Sequence, residues 1–239
     1  NRRRFERDPV IPCPDGKFEA YIAHPENVSA DNPAPGLLVI QEIFGVNEVM
    51  RNICDAYAAK GYVAVCPDLF WRQEPGIQIT DKTQEEWDKA FELYQGFNEA
   101  KGVDDLVDTL NAMRERPEIT DRVGTIGFCL GGKLAYLMGT RSDADCNVSY
   151  YGVAIQDAID EATAITQPML MHIGEKDKFV SPEVRATILD GVSPIKLVQP
   201  HVYEGQDHAF ARVGGEHYNK EAADLANKRT EDFLKEHLF

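Results

Sequence analysis

The stretch from Val123 to Gly132 constrains the fold of this chain more than any other part of the sequence. Its first residues predict a buried strand, and a helix predicted over 130–140 follows after a short turn. Between them lies Cys129, flanked by Gly127 and Gly131, the two positions where a side chain would collide in a sharp strand-to-helix turn. We therefore expect the cysteine to be held in a strained backbone conformation at the start of the helix.

A cysteine in this position can act as a nucleophile. The N-terminus of the helix directs unpaired N–H groups toward it, which favours a thiolate and offers a place for a developing oxyanion. A buried, inert cysteine in a glycine-rich turn is the alternative interpretation. Residues 127–133 also fit a phosphate-binding loop, but Leu134 follows where such a loop needs a hydroxyl, so we reject that interpretation.

Strand and helix patterns alternate along the chain, which predicts an α/β fold with a mostly parallel central sheet and helices on both faces. We expect a single domain over residues 1–239, because no linker, repeat or low-complexity tract divides the sequence. The predicted strands cover 18–23, at the sheet edge, and then 36–40, 62–66, 123–126, 147–151, 168–173 and 195–203. The predicted helices cover 46–60, 84–98, 103–114, 130–140, 182–190 and 218–238.

Two further side chains follow predicted strands and fit a nucleophile at Cys129. Asp177 lies in a glycine-containing turn after one strand, and His208 lies in the loop after the last strand. A histidine there can accept the thiol proton or pair with the thiolate, and a carboxylate can fix the histidine tautomer. Asp177 is equally well explained as an ordinary turn residue. The chain order of nucleophile, acid and histidine, however, is typical of α/β-hydrolases.

The segment after the strand 36–40 supplies two more candidates. Glu42 lies where this strand ends, at the edge where open parallel sheets bind ligands, although a solvated acidic loop residue is the simpler explanation. An oxyanion hole needs two N–H donors. We expect them from Ile43, in this loop, and from Leu130, which follows the nucleophile.

Charge and cysteine usage exclude several function classes. The net charge of −15 disfavours a phosphate-binding surface, so we expect no nucleic-acid partner. No apolar run reaches about 18 residues, so we expect no membrane span, and no such run follows Asn1–Arg4, which is therefore not an intact secretory signal. The five cysteines are odd in number and scattered, which predicts free thiols in a reducing, cytoplasmic compartment.

We expect no metal and no cofactor. The histidines other than His208 lack the spacing of metal ligands, so we interpret them as surface or structural residues. They are His24, His172, His201, His217 and His237.

Six stretches, spread over nearly the whole chain, resemble the dienelactone hydrolase family of α/β-hydrolases, also called carboxymethylenebutenolide hydrolases. They are 41–47 (QEIFGVN), 61–62 (GY), 66–69 (CPDL), 127–132 (GFCLGG), 150–153 (YYGV) and 208–212 (HAFAR). The resemblance implies the α/β-hydrolase fold and a hydrolase without cofactors that opens a lactone ring through a thioester intermediate.

The resemblance also implies roles for individual residues. The family's catalytic cysteine, aspartate and histidine correspond to Cys129, Asp177 and His208, and its special glutamate corresponds to Glu42. In the family, the cysteine rests as a thiol near that glutamate, and substrate binding triggers proton transfer between them. Arg212 corresponds to an arginine that binds the substrate carboxylate and then pairs with the glutamate.

One position departs from the family pattern. The well-studied branch of the family has a second carboxylate-binding arginine where this chain has Trp87. An indole supplies apolar area and one N–H donor, but no bidentate cationic group. Arg72, in the aromatic segment 68–79, Lys82 and Lys89 are candidates to compensate, although such an aromatic segment is more often simple packing. We expect Phe44 and Tyr151 to complete the substrate-binding set.

The leading hypothesis is a cysteine-dependent hydrolase of small-molecule esters or lactones, acting as a monomer or weak homodimer. A carboxylesterase for neutral or bulkier esters is the alternative, and Trp87 favours it. A third hypothesis belongs to another class: a non-catalytic thiol redox sensor or ligand binder built on the same fold.

Overall fold

The computed structural model of the chain describes residues 9–239. The chain forms two compact units, one ending at Val123 and the other running from Gly124 to Phe239. The expectation of a single domain over residues 1–239 stays a prediction. The segment Asn1–Arg4, predicted not to be an intact secretory signal, lies outside the described residues.

The first unit combines an antiparallel edge with parallel strands. Its elements are β1 (Val10–Cys13), β2 (Gly16–Ala23), β3 (Ala34–Ile40), α1 (Glu48–Ala59), β4 (Val63–Pro67), α2 (Gln84–Gln95), α3 (Glu99–Arg114) and the beginning of β5 (Ile119–Phe128). β1 pairs antiparallel with β2, β2 pairs antiparallel with β4, and β3 pairs parallel with β4. All seven residues of β3 are buried, which explains its continuous apolar sequence.

The second unit is built on parallel strands. Its elements are the end of β5, α4 (Leu130–Arg141), β6 (Asn147–Tyr150), a 3₁₀ helix (Ile155–Ala164), β7 (Met169–Gly174), α5 (Pro182–Val192), β8 (Val198–Tyr203) and α6 (Lys220–Leu238). β6 pairs parallel with β5 and with β7, and β7 pairs parallel with β8. Because neighbouring parallel strands end at the same edge, the loops after β5, β7 and β8 meet there.

The eight strands follow the order β1-β2-β4-β3-β5-β6-β7-β8 in one mostly parallel sheet. This confirms the predicted α/β class. The predicted edge position of the strand over 18–23 is wrong, because β1 pairs along β2 and takes the edge itself. β1 has only four residues and contains Pro12, which cannot donate to a strand ladder, so its sequence gives little sign of a strand.

Side-chain caps mark where the helices other than α4 begin. Asn47, Thr83, Asn98, Ser181 and Asn219 each accept a hydrogen bond from the backbone N–H three residues further along the chain. The cap at Asn98 starts α3 at Glu99, four residues before the predicted start at Val103. The 3₁₀ helix was not predicted.

Helix α4 differs from the other helices because it is buried along most of its length, from Leu130 to Gly139. It follows the buried end of β5, so the residue between them is held by buried structure on both sides. None of the helices within residues 9–239 combines the length and the apolar character that crossing a membrane requires.

Candidate active site

Cys129 occupies the turn between β5 and α4. Its backbone has φ +60°, a conformation that non-glycine residues rarely adopt, and it directly precedes the first residue of α4. A side chain at Gly127 would not fit, because its Cβ would lie 1.8 Å from the carbonyl oxygen of Gly131. The N–H of Cys129 donates to the carbonyl of Tyr150 at 3.0 Å. The predicted strained turn between strand and helix is therefore confirmed.

The first turn of α4 presents backbone N–H groups beside Cys129. Those of Gly132 and Lys133 donate to the Cys129 carbonyl at 2.9 and 3.2 Å, whereas the N–H of Leu130 has no acceptor among the described residues. A helix N-terminus stabilises nearby negative charge. The Leu130 N–H is thus free to bind an anionic oxygen, and its place in an oxyanion hole stays a prediction.

Asp177 and His208 are in direct contact. His208 Nδ1 lies 2.9 Å from Asp177 Oδ2, and both side chains are buried, with 7% and 1% of their surface exposed. Since a carboxylate can only accept hydrogen bonds, Nδ1 carries the proton. The other oxygen of Asp177 accepts the N–H of Phe179 at 2.9 Å, which holds the carboxylate in place.

The predicted third member of this group is Cys129. Burial alone would lower the pKa of His208, but the charge of Cys129, the hydrogen bond to Asp177 and the charge of Asp177 raise it to about 10. His208 Nε2, however, has no hydrogen-bond partner among the described residues. The influence of Cys129 on the imidazole is therefore electrostatic, and its role as the proton partner of Nε2 stays a prediction.

Two aromatic rings contact the imidazole of His208. Phe179 and Tyr151 approach it edge-on, with ring centroids 4.8 and 5.4 Å away. Tyr151 is buried, has φ +36° and packs against Phe210. The structure thus places Tyr151, predicted to bind substrate, beside the histidine. The two rings limit the rotation of the imidazole, and its burial strengthens its interactions with charged neighbours.

The comparisons with known proteins agree with this geometry. Residues 18–238 match the model of the dienelactone hydrolase family. The chain belongs to the dienelactone hydrolase family. It is therefore a hydrolase, and the family acts on small molecules.

Relatives of this family cover almost the whole chain. A protein from Azospirillum brasilense, with the provisional name carboxymethylenebutenolidase, is 55% identical over 94% of this chain and 95% of its own length. The carboxymethylenebutenolidase of Pseudomonas putida is 38% identical over 91% and 90%. A solved structure from Klebsiella pneumoniae subsp. pneumoniae MGH 78578, provisionally named a dienelactone hydrolase, has a TM-score of 0.84 at 26% identity and covers 95% of this chain and 97% of its own.

Glu42 and Ile43 lie in the first unit, directly after β3. Both residues are buried. The side chain of Gln41 accepts the N–H of Leu69 at 2.9 Å and donates to the Glu42 carbonyl at 3.1 Å, so it holds this family-typical segment against the segment after β4. The N–H of Ile43 has no acceptor among residues 9–239. The roles of Glu42 and Ile43 stay predictions.

Trp87, the residue that departs from the dienelactone hydrolase pattern, belongs to an aromatic cluster in the first unit. Its ring meets Phe44 edge-on at 5.1 Å and stacks on Phe91 at 5.5 Å. Its indole N–H donates to the carbonyl of Asp81 at 2.9 Å. The N–H donor expected for substrate is thus already used, and Trp87 presents apolar surface.

The contacts of Arg72 correct the prediction that it binds substrate. Its guanidinium donates to both oxygens of the buried Asp105 and also pairs with Asp15, and it lies over the ring of Trp71. A cation with these partners serves packing within the first unit, which is the alternative noted for the segment 68–79. We therefore leave Arg72 out of the substrate-binding set.

Arg212 remains a candidate for substrate binding. It follows His208 by four residues in the same loop, and its N–H donates to the carbonyl of Ala209 at 3.1 Å.

Two contacts of this site were not predicted from the sequence. Phe179 contacts the imidazole of His208, and Asp207 binds the loop of Asp177. The position next to a predicted catalytic histidine is one that sequence analysis could have examined, because the backbone of the histidine must be held as firmly as its ring.

One group of potential metal ligands exists among the described residues. Ligand atoms of Cys13, Asp105 and Asp108 lie within 4.8 Å of one another in the first unit. A cation there would compete with the guanidinium of Arg72 for the carboxylate of Asp105. We assign no metal to this group.

Proposed function

We propose that this chain is a cysteine-dependent hydrolase of lactones and esters, with a dienelactone (4-carboxymethylenebut-2-en-4-olide) hydrolysed to maleylacetate as the leading reaction. The observation that supports this most is the buried hydrogen bond between Asp177 and His208, in the same unit as Cys129, whose charge raises the pKa of His208. A nucleophile, a proton carrier and an orienting carboxylate are the parts that acyl transfer needs.

In the first half of the reaction, the sulfur of Cys129 attacks the carbonyl carbon and forms a carbon–sulfur bond. The carbonyl oxygen becomes an oxyanion, which accepts hydrogen bonds from the N–H groups of Leu130 and, as the family resemblance implies, Ile43. The carbon–oxygen ester bond then breaks, and the leaving oxygen takes a proton from His208. In a lactone this opens the ring and leaves an enol, which converts to the ketone of maleylacetate.

In the second half, water adds to the thioester while His208 Nε2 takes its proton. The carbon–sulfur bond breaks, the carboxylic acid leaves, and Cys129 regains its starting state. Asp177 stabilises the imidazolium in both halves. Glu42 as a proton partner of the thiol and Arg212 as a ligand of the substrate carboxylate complete the proposal.

The proposed substrate class and the lack of a cofactor follow from this chemistry. The substrate is a small-molecule ester or lactone, and no metal or cofactor takes part, because the sulfur and the imidazole supply the nucleophile and the proton transfer. We propose that the protein is cytoplasmic, a monomer or weak homodimer, with no nucleic-acid or membrane partner.

A carboxylesterase for neutral or bulkier esters is the second candidate. Trp87 favours it, because this residue presents apolar surface where the family's well-studied branch has a carboxylate-binding arginine. The two candidates share the chemistry of Cys129 and differ only in the substrate.

One experiment tests the shared chemistry and separates the candidates. Hydrolysis of a dienelactone and of 4-nitrophenyl acetate is measured with the unaltered chain, with Cys129→Ala, and with the control variants Cys54→Ala and Cys146→Ala, which remove other buried thiols. We expect Cys129→Ala to lose about 1000-fold or more of kcat on each substrate that reacts, because the nucleophile is gone. Both controls stay within about 3-fold.

Each outcome of this experiment supports or contradicts one of the candidate functions. Hydrolysis that survives Cys129→Ala contradicts the mechanism. Hydrolysis of the neutral ester alone contradicts the proposed dienelactone hydrolysis and supports the carboxylesterase. Labelling of Cys129 by iodoacetamide without hydrolysis of either substrate supports the redox sensor or ligand binder instead.

A further inference from the structure

Asp207, the residue before His208, joins the loop of the acid to the loop of the histidine. Its Oδ1 accepts the N–H of His208 at 2.6 Å and the N–H of Lys178, the residue after Asp177, at 3.1 Å. One carboxylate oxygen therefore binds the backbones of both loops. One donor is the backbone of His208 itself, and the other belongs to the residue after Asp177, so both bonds lie next to the side-chain contact between Asp177 and His208.

The same two loops are also joined nearer to their strands. The N–H groups of Glu175 and Lys176 donate to the carbonyls of Tyr203 and Gln206 at 3.0 and 2.8 Å, and the Glu175 carboxylate accepts the N–H of Gly205 at 2.9 Å. These bonds hold the bases of the loops together without Asp207. Loss of the Asp207 carboxylate should therefore loosen the loop ends without unfolding the unit.

The carboxylate of Asp207 is well suited to accept these two backbone hydrogen bonds. Its other oxygen lies 3.4 Å from His217 Nε2, and 28% of the side chain is exposed. Burial would raise the pKa of Asp207, but the two backbone N–H groups and the charges of His217 and Lys178 hold it below its usual value. The group is thus ionised at neutral pH and accepts both N–H bonds.

The charge of Asp207 does not account for the state of His208. The groups that raise the pKa of the imidazole are Cys129 and Asp177, and Asp207 is not among them. A negative charge beside the histidine is therefore a weaker explanation for Asp207 than its two hydrogen bonds.

We propose that Asp207 is a positioning residue, whose carboxylate oxygen fixes the spacing between Asp177 and His208 by binding the backbones of both loops. This proposal rests on the proposed hydrolysis, in which His208 carries the proton. Small misplacements of such a group are expensive, because a shift of about 1 Å can cost about 100-fold in rate.

Two substitutions separate position from charge. Asp207→Asn removes the charge but keeps an oxygen at the same distance from the backbone, so it can still accept both N–H bonds. Asp207→Glu keeps the charge, but its longer side chain moves the oxygens away from these donors. Glu175→Ala is the matched control, because it removes a carboxylate bond between the same two loops without touching residues next to the catalytic group.

We expect Asp207→Glu to lower kcat for 4-nitrophenyl acetate about 10- to 100-fold with KM within about 3-fold, while Asp207→Asn and Glu175→Ala keep kcat within about 3-fold. The alkaline fall of kcat/KM should move to lower pH in Asp207→Glu and stay in place in Asp207→Asn. A loss in Asp207→Asn with full activity in Asp207→Glu would show that charge matters, and it would overturn the proposal. Equal losses in Glu175→Ala and Asp207→Glu would overturn it as well.

Folding and the proposed function are checked on the same samples. Circular dichroism and thermal melting show whether each variant is folded, and if Asp207→Glu is not, Asp207→Ala replaces it with the same expected loss. Rates are read relative to the unaltered chain after subtraction of the Cys129→Ala rate. If the unaltered chain shows no hydrolysis that depends on Cys129, the proposed function fails; if it does and no Asp207 variant differs from it, only the positioning role fails.

Discussion

His208 holds its proton far more tightly than an isolated histidine, and its neighbours explain why. Burial lowers the pKa of the imidazole, but the effects of Cys129 and Asp177 are larger and raise it from 6.5 to about 10. The folded protein binds this proton more tightly than the unfolded chain does. The proton therefore contributes stability that is complete below about pH 6.5 and is lost as the pH rises through about 10.

Asp177→Asn tests this balance. An amide has no charge and cannot accept as strongly, so the pKa of His208 should fall toward 6.5 while the contribution of Cys129 remains. We expect NMR titration of the imidazole to give a midpoint near pH 10 in the unaltered chain and a clearly lower one in Asp177→Asn. Equal midpoints in the two proteins would mean that Asp177 does not control the histidine.

The turn between β5 and α4 shows what sequence can predict at the scale of an element. Strand, turn and helix are contiguous, and Gly127 is needed because the carbonyl of Gly131 passes where its Cβ would be. The tie from Asp207 to Lys178 and the contact of Phe179 with His208 join segments about 30 residues apart. Local patterns carry no information on such pairs, so these contacts could not be predicted.

Gly127→Ala tests the turn. The added Cβ would collide with the Gly131 carbonyl, so we expect a loss of about 4 kcal/mol or more in the free energy of unfolding. Gly205→Ala is the control: it has φ +74° and open space around its Cβ, so it should lose only about 1–2 kcal/mol from backbone strain. Equilibrium unfolding in urea measures both, and a small loss for Gly127→Ala would contradict the packing of the turn.

At the scale of the whole molecule, the chain order of strands decides which side chains meet. Cys129, Asp177 and His208 follow β5, β7 and β8, which lie in one parallel run of the sheet. This grouping was predictable because parallel neighbours end at the same edge. The edge position of β1 was not, since four residues with a proline carry almost no strand signal.

Some of the proposed residue roles come from membership of the dienelactone hydrolase family, because the described contacts do not assign them. Glu42, Ile43 and Arg212 take their proposed roles from the family pattern, whereas Trp87 departs from it and makes the substrate the most open part of the account. The reaction type does not depend on that choice, because lactone and ester hydrolysis both proceed through an acyl group on sulfur.

The most direct measurement is therefore the site of acylation. The enzyme is mixed with 4-nitrophenyl acetate, quenched in acid during the first turnover, digested and examined by mass spectrometry. We predict one acetyl group on the peptide that contains Cys129, none on the other four cysteines, and no acetylated peptide from the Cys129→Ala variant. Turnover of the ester without acetylation of Cys129, or with the acetyl group on another residue, would contradict the account.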